Sequence, residues 1–315
     1  MERDFDQIVW DEQLSDDVRK LLALAISEDL GASGDITTQA LVPEHTSGQA
    51  VMHSRQVGVI AGLVAIPTIV AIIDSRLNWE PILRDGDVID EGHTPLGMMS
   101  GPVASILTAE RKILNLVARL CGIATLTNCY INEIAGTNAR IYDTRKTTLG
   151  WRRLEKYAVK CGGGNSHRTG LFDAILIKDN HLAFGLSNEA GTRGRYSPAQ
   201  AIRKARVWCD RYARKSGHNL PPLIEIEVDS LDQLTEVLPE SPDIVLLDNM
   251  TPESIREAVA MRNKLGVPTE LEASGGINLK TVRAFAETGV ERISVGALTY
   301  SAVSLDIGLD YSLKL

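Results

Sequence analysis

The sequence predicts an α+β N-terminal part followed by an α/β barrel, complete or incomplete. Three observations carry that expectation. From about Ala139 onward, short apolar runs alternate with helical stretches, the pattern of βαβ units around a parallel sheet. No GxGxxG opens a helix after the first strand and no P-loop lysine appears, which sets aside the doubly wound nucleotide folds. The chain has 315 residues, 44% of them hydrophobic, enough for two domains with a sizeable core.

In order along the chain, Asp16 to Leu30 has helical periodicity, with Val18, Leu21, Leu22, Ala25 and Ile26 on one stripe; Gly31 and Gly34 end it. Strand-like text follows over Gln49–Ile60. Val57 to Ile73 runs seventeen residues without a charge. That is shorter than the ~20 apolar residues of a membrane span, and Gly58, Gly62 and Pro67 interrupt it. A buried strand, a turn at Gly62 and a core helix through Ile73 fit better. Leu77–Leu83 reads as a strand, and Arg84-Asp-Gly-Asp and Glu91-Gly92 are turn chemistry. Thr108 is placed to cap a long helix from Ala109 past Leu120, with Leu114, Val117 and Leu120 facing inward. Six buried strands then follow: Ala139–Asp143, Ala174–Lys178, Leu223–Val228, Ile244–Asp248, Thr269–Ala273 and Arg292–Val295.

Composition narrows the function. Charged residues are 23% and aromatics 5%, with 33 basic against 41 acidic side chains and a net charge of −8. Disorder, collagen and disulfide scaffolds are excluded, and a general nucleic-acid binder would need an extended basic face. Cys121, Cys129, Cys161 and Cys209 show no CxxC spacing, so reduced thiols in a cytosolic protein are expected. The acidic start Met1-Glu2-Arg3-Asp4 has no signal-peptide character.

The residues that end the strands are the informative feature. The first strand is followed by Thr144-Arg145-Lys146. The second ends in Lys178 before Asp179-Asn180-His181. The third carries Glu225 and Glu227, the fourth ends in Asp248-Asn249, the fifth leads into Ser274-Gly275-Gly276 and the sixth into Gly296. Barrel enzymes build their sites from such carboxyl-terminal strand ends. Strand parity puts Ile224, Ile226 and Val228 under helices and turns Glu225 and Glu227 inward. Two inward carboxylates need a lysine partner or a metal. Between Thr144 and His181 the chain is net +5, leaving −13 for the rest, so a basic mouth on an acidic protein attracts a small anion. Lys156 and Lys160 read as a solvated helix face, whereas Arg145, Lys146, Arg168 and Lys178 sit at strand ends or beside glycines.

Two glycine-rich stretches suggest ligand contact. Cys161-Gly-Gly-Gly-Asn-Ser-His-Arg lets backbone approach a ligand closely, and its His167 can donate to a carboxylate. Ser274-Gly-Gly-Ile-Asn precedes a helix expected over Leu279–Glu287, an arrangement that suits phosphate; Ser294-Val-Gly-Ala lies on the next strand. Arg195–Lys215 reads as an exposed basic helix. His45, His53, His93 and His218 carry no pattern.

Taken together, Thr144-Arg-Lys-Thr, Gly162-Gly-Gly-Asn-Ser-His-Arg, Leu176-Ile-Lys-Asp-Asn-His, Glu225-Ile-Glu, Leu247-Asp-Asn and Glu272-Ala-Ser-Gly-Gly-Ile resemble the quinolinate phosphoribosyltransferase family. Glu28-Asp-Leu-Gly, Gly34-Asp-Ile-Thr, Glu110-Arg-Lys-Ile-Leu-Asn and Leu305-Asp-Ile-Gly-Leu extend the resemblance over nearly the whole chain. It implies an N-terminal α/β sandwich (1–117, with 301–315 packing back on it) and an incomplete, TIM-like α/β barrel (118–300). It implies a homodimer, or a dimer of dimers, with active sites completed across the interface by Arg111 of the neighbouring subunit. Arg145, His167, Arg168 and Lys178, with Lys146 nearby, would surround the quinolinate carboxylates and the pyrophosphate. Glu227 and Asp248 would meet the ribose hydroxyls and Mg²⁺, and Ser274, Gly275, Gly276 and Gly296 would hold the 5-phosphate. Lys146, Lys178, Glu227 and Asp248 are the catalytic candidates. Two positions depart from the family pattern: Leu149 stands for a usual proline, and Tyr300 for a histidine near the 5-phosphate, where a phenol can still donate.

The implied reaction joins quinolinate to phosphoribosyl pyrophosphate, releases pyrophosphate and then CO₂, and leaves nicotinate mononucleotide. No organic cofactor is needed. Three rivals are a Schiff-base lyase using Lys178, a non-catalytic binding module such as the molybdenum-transport-associated proteins of this fold, and a non-decarboxylating transferase acting on nicotinate.

Overall fold

The structure, a computed structural model, describes residues 4–187, 194–216 and 221–313. His218 of the expected sequence features lies outside these, as do the side chains of Arg214 and Lys215. The strands are β1 (Ser47–Ser54), β2 (Gly58–Val59), β3 (Asn78–Pro81), β4 (Val88–Ile89), β5 (Thr94–Pro102), β6 (Arg140–Tyr142), β7 (Ala174–Ile177), β8 (Leu186–Ser187), β9 (Gly194–Arg195), β10 (Leu223–Val228), β11 (Ile244–Asp248), β12 (Glu270–Ser274), β13 (Arg292–Ser294) and β14 (Ile307–Leu313). The α-helices are α1 (Glu12–Leu30), α2 (Ile36–Leu41), α3 (Ile66–Ile73), α4 (Val103–Glu133), α5 (Arg152–Cys161), α6 (Asp179–Phe184), α7 (Pro198–Ser216), α8 (Leu231–Val237), α9 (Pro252–Leu265), α10 (Val282–Ala286) and α11 (Ala297–Tyr300).

The chain forms two compact units. The first comprises Met1–Gln7, Tyr130–Arg145 and Asn165–Gly296; the second comprises Ile8–Cys129, Lys146–Gly164 and Ala297–Leu315.

The second unit is built on an antiparallel sheet in the order β14-β1-β5-β3. α1 starts earlier than its apolar stripe because the Asp11 carboxylate accepts the Leu14 N–H at 2.8 Å and caps it. Leu14, Val18 and Leu22 are its buried apolar residues. The turn at Gly62 has φ 96°, and a Cβ there would lie 2.8 Å from the Leu120 side chain, so both backbone and space require glycine.

Three expectations fail in this unit. β5 is a strand the sequence does not announce: its text, Thr94-Pro-Leu-Gly-Met-Met-Ser-Gly-Pro, is poor in β-formers. Pairing with both β1 and β3 overrides that weakness. Its Gly97 leaves room for the Trp79 ring, whose atoms would stand 2.4 Å from a Cβ there. α4 begins at Val103, not Ala109, and Thr108 does not cap it; its hydroxyl donates back to the Ala104 carbonyl at 3.0 Å inside the helix. By length and composition α4 could cross a membrane. It carries Glu110, Arg111, Lys112 and Arg119, and Ile106, Ile113, Val117, Leu120 and Ala124 on it are buried, which fits a core helix. Lys156 is also a correction: it is fully buried in α5, not solvated, whereas Lys160 is exposed as expected.

The first unit holds the six-stranded parallel sheet, in the order β6-β13-β12-β11-β10-β7. The six apolar runs read from the sequence are these six strands. β6 and β7 are the two ends of the sheet and do not pair with one another, so this barrel is incomplete. Ile224, Ile226 and Val228 are all buried. α7 buries Ile202 and Cys209 and turns its basic side outward, where Arg203 pairs with Glu240 and Arg206 donates to the Glu240 carbonyl at 2.7 Å. α10 is shorter than expected, only Val282–Ala286. Asn278 takes up the preceding segment as a turn, its carbonyl accepting from the Thr281 and Val282 N–H groups. Those donors are therefore committed, and Gly276 does not lead into a helix-terminus phosphate site.

Candidate active site

The inner face of the parallel sheet carries two layers of charge. The lower layer lies deeper along the strands, and the carboxylates at its centre are fully enclosed. Glu225 of β10 and Glu272 of β12 are 0% exposed. His167, reached through the loop after α5, points its Nε2 at both, 3.2 Å from Glu225 and 3.4 Å from Glu272. Asp143 fixes this loop by accepting the His167 N–H at 2.8 Å, and Phe5 stacks on the imidazole at 4.3 Å. The partner of Glu225 is thus a histidine rather than the lysine that parity alone suggested.

Arg292 completes this layer. Its guanidinium is fully buried, meets Glu272 at 3.1 Å and both Glu270 and Asp4 at 2.9 Å, and lies over the Tyr142 ring at 3.7 Å. Tyr142 donates in turn to Asp4 at 2.7 Å. Sequence reasoning assigned no role to Arg292, Glu270 or Asp4. The one available signal was parity: Glu270 and Glu272 alternate along β12 as Glu225 and Glu227 do along β10.

These contacts set the charges. Burial alone would lower the His167 pKa, but the two carboxylates raise it to about 10. One contact opposes them: the Arg168 N–H points at Nδ1 from 2.8 Å, which favours a neutral ring. Two charge-assisted contacts, each worth about 1.5–3 kcal/mol, outweigh one neutral hydrogen bond of about 1 kcal/mol, so the upward direction holds. Burial alone would raise Glu272; His167 and then Arg292 overturn that and hold its carboxyl at about 2.

The upper layer lies at the strand ends and is only partly matched. Lys178, directly after β7, makes an ion pair with Glu227 of β10, and both remain half-accessible. Asp248 ends β11 beside Ser274 of β12 and accepts the Asn249 amide at 2.8 Å. Asn249 has φ 55° and donates its N–H to the Ser274 carbonyl at 2.9 Å. Gly275 (φ 98°) and Gly276 (φ 64°) come next; a Cβ on Gly275 would stand 2.2 Å from the Asn249 side chain. The approach of Asn249 requires glycine at 275, whereas Gly276 meets nothing within 4 Å and is set only by its positive φ. Gly296 lies after β13, just before the four-residue α11.

Arg145 and Arg168 complete this end of the sheet. The Arg145 Nε is buried with no hydrogen-bond partner. Arg168 is buried, and its guanidinium reaches only the Ala174 carbonyl, at 3.4 Å. Burial and then the charge of Arg145 lower the Arg168 pKa, so the two guanidiniums feel one another. Neither pairs with a carboxylate among the described residues. A buried and a half-buried cation side by side, with no carboxylate in ion-pair contact among the described residues and only the longer-range charges of Glu225 and Asp173 acting on Arg168, form a site for an anion.

The other expected residues belong to the second unit. Arg111 is exposed on α4, Lys146 is exposed and its carbonyl accepts from the Thr299 hydroxyl at 2.7 Å, and Tyr300 is exposed at the end of α11. Leu149 is also exposed. The structure therefore brings together Arg145, His167, Arg168, Lys178, Glu227, Asp248, Ser274, Gly275, Gly276 and Gly296 in one unit.

Comparison with known proteins converges on one family. Residues 35–121 match the N-terminal domain of quinolinate phosphoribosyl transferase, and residues 123–310 its C-terminal domain. A nicotinate-nucleotide pyrophosphorylase (carboxylating) of Mycobacterium leprae is 40% identical over 94% of this chain and 97% of its own. A probable enzyme of the same name from Bacillus subtilis is 38% identical over 94% of both chains. A solved nicotinate-nucleotide pyrophosphorylase from Francisella tularensis superposes with a TM-score of 0.84 at 34% identity, over 98% of this chain and 100% of that one.

Proposed function

Because the chain belongs to the quinolinate phosphoribosyltransferase family, we propose a division of labour among its residues in the family's reaction. The enzyme transfers phosphoribosyl from phosphoribosyl pyrophosphate to quinolinate with decarboxylation, a step of de novo NAD biosynthesis that gives nicotinate mononucleotide, CO₂ and pyrophosphate. One observation carries the assignment of residues: the neighbouring guanidiniums of Arg145, half-buried, and Arg168, buried, neither in ion-pair contact with a carboxylate among the described residues, at the carboxyl end of the parallel sheet.

Both substrates are anions and repel one another. At ~4 Å and an effective dielectric of ~20, one charge pair is worth about 4 kcal/mol before desolvation. Arg145 and Arg168 take the quinolinate carboxylates, and Lys178 stands beside them for the pyrophosphate. His167 and Arg292 offset the negative charge of Glu225 and Glu272, so that the anion entering above meets less repulsion from below. Glu227 and Asp248 lie on adjacent strands with the same inward parity and offer only carboxylate oxygens, a hard donor set that fits Mg²⁺. Bound there, Mg²⁺ would supply Lewis-acid stabilisation of the leaving pyrophosphate. The same two carboxylates accept from the ribose hydroxyls and steady the positive charge that grows on the anomeric carbon. Ser274 and the backbone of Gly275, Gly276 and Gly296 take the 5-phosphate. Once the pyridine nitrogen is ribosylated it is cationic, and the carbanion left by CO₂ loss is stabilised beside it.

The resemblance further supports a homodimer in which Arg111 of one subunit reaches the site of the other, with Lys146 and Tyr300 as additional substrate contacts. Mixed dimers of Arg111→Ala and Arg145→Ala chains then regain activity, because one intact site is rebuilt; no regain would refute sharing. A cytoplasmic location belongs to the same proposal and accords with the four free cysteines. The direct test uses quinolinate labelled in its 2-carboxylate, phosphoribosyl pyrophosphate and Mg²⁺. Labelled CO₂ should appear in step with pyrophosphate. Pyrophosphate release from nicotinate, without CO₂ from quinolinate, would overturn the assignment.

A further inference from the structure

A second imidazole cluster lies in the antiparallel unit and uses none of the residues above. His53, near the end of β1, stands opposite Gly308 of β14, and Asp310 is two residues further along that strand on the same face. Glycine at 308 has no side chain of its own, and the Arg55 guanidinium lies over it, 2.7 Å from where a Cβ would stand. The His53 Nδ1 comes to 3.2 Å from an Asp310 carboxylate oxygen, yet it is buried and outside hydrogen-bonding geometry with any group. The pairing of β1 with β5 shifts register between Met52 and His53, which re-aims this residue.

His93, immediately before β5, supplies the third group. It holds φ 67°, a left-handed conformation uncommon for a residue with a side chain. Its ring meets that of His53 edge-on, with centroids 5.0 Å apart. The donor atoms of His53, His93 and Asp310 all lie within 4.8 Å of one another.

We propose that His53, His93 and Asp310 form a binding site for a divalent transition metal of the zinc class. Two imidazole nitrogens and one carboxylate oxygen are a three-ligand zinc set, leaving a fourth position for water. Bonds of about 2.0–2.2 Å put neighbouring ligand atoms of a tetrahedron roughly 3.5 Å apart. Closing from the observed spread needs only a side-chain rotation of His93 or Asp310, both exposed. Nitrogen donors disfavour Mg²⁺ and Ca²⁺, which take oxygen. Arg55, over Gly308, is drawn toward Asp306 at 3.6 Å and is half-exposed, so its side chain can swing clear when a cation enters. Such an ion joins β1, β14 and the turn before β5, and so staples the terminal strand to the sheet.

The test uses the full-length protein in excess Mg²⁺, titrated with Zn²⁺ by calorimetry and with Co²⁺ by visible absorbance. One equivalent should bind, with tetrahedral Co²⁺ bands lacking a thiolate charge-transfer band, and Zn²⁺ should raise Tm because only the folded chain offers the site. His93→Gln and Asp310→Asn should each weaken binding roughly tenfold or more, with metal-free Tm unchanged. His45→Gln and Cys129→Ser should bind like the parent. Absence of a bound equivalent, parental affinity in both ligand variants, or loss of binding in Cys129→Ser would each overturn the proposal.

Discussion

The two layers of charge inside the parallel sheet are made of the same residue types and differ in how completely they are matched. In the lower layer every carboxylate has a fixed cation: Glu225 and Glu272 share His167, and Glu272, Glu270 and Asp4 converge on Arg292. In the upper layer, among the described residues, Arg145 and Arg168 have no carboxylate in ion-pair contact and Asp248 has no cation, and Glu227 and Lys178 have one another in a half-open pair. Buried charge is tolerable only when compensated. The lower layer is compensated by the protein and therefore belongs to the fold. The upper layer is compensated by what binds, and therefore belongs to the chemistry.

The sharpest way to break this contrast is to remove one lower-layer charge. Arg292→Met removes the fully buried cation that Glu272, Glu270 and Asp4 share, leaving His167 to Glu272 and Arg140 to Glu270 and Asp4. It is expected to cost about 3 kcal/mol of stability, the low end of the range for breaking a buried pair. Urea denaturation measures it; a loss under about 1 kcal/mol, the size of an exposed pair, would mean the layer is not structural. Removing an upper-layer charge has the opposite signature. Arg145→Ala should cost about 3 kcal/mol of transition-state binding, roughly a hundredfold in kcat/KM, while urea midpoints stay close to the parent. A loss below threefold would refute its role.

Titration sharpens the comparison more gently. The His167 pKa rises from 6.5 unfolded to about 10 folded. Its contribution to stability is therefore whole below about pH 6.5 and is lost as the pH climbs through 10. Glu272 falls from 4.5 unfolded to about 2 folded, so its contribution is whole above about pH 4.5 and is lost as the pH drops through 2. Stability against urea should be flat between these limits and decline on both sides. A His167 imidazole chemical shift that titrates near 6.5 in the folded protein would contradict the alkaline limb.

How much of this was legible depended on whether the cause was local. The six parallel strands were readable because each is a short run rich in β-branched and aliphatic residues ending in a polar residue or glycine. The strand-end residues were readable for the same reason. β5 was not, since its prolines and glycines hide a strand that exists only by pairing on both sides. Thr108 looked like a cap because nothing local reveals that the helix had already begun at Val103. The glycines after Ser274 stood out in the sequence, but the reason for Gly275, the approach of Asn249 from the neighbouring strand, is not local. Lys156 and Arg292 were misjudged or passed over because a buried cation is defined by partners distant in sequence. His53 and His93 were featureless for the same cause: 40 residues apart, they meet Asp310 only through sheet register.

Glu225 and Glu227 offer the most direct test, being identical side chains two residues apart on one strand with the same inward parity. Each is changed to glutamine, and urea stability and turnover of labelled quinolinate are measured on both. Glu225→Gln should lose stability and keep near-parental kcat in its folded fraction, while Glu227→Gln should keep its stability and lose turnover. The reverse assignment, or equal effects of the two changes on both quantities, would contradict the account.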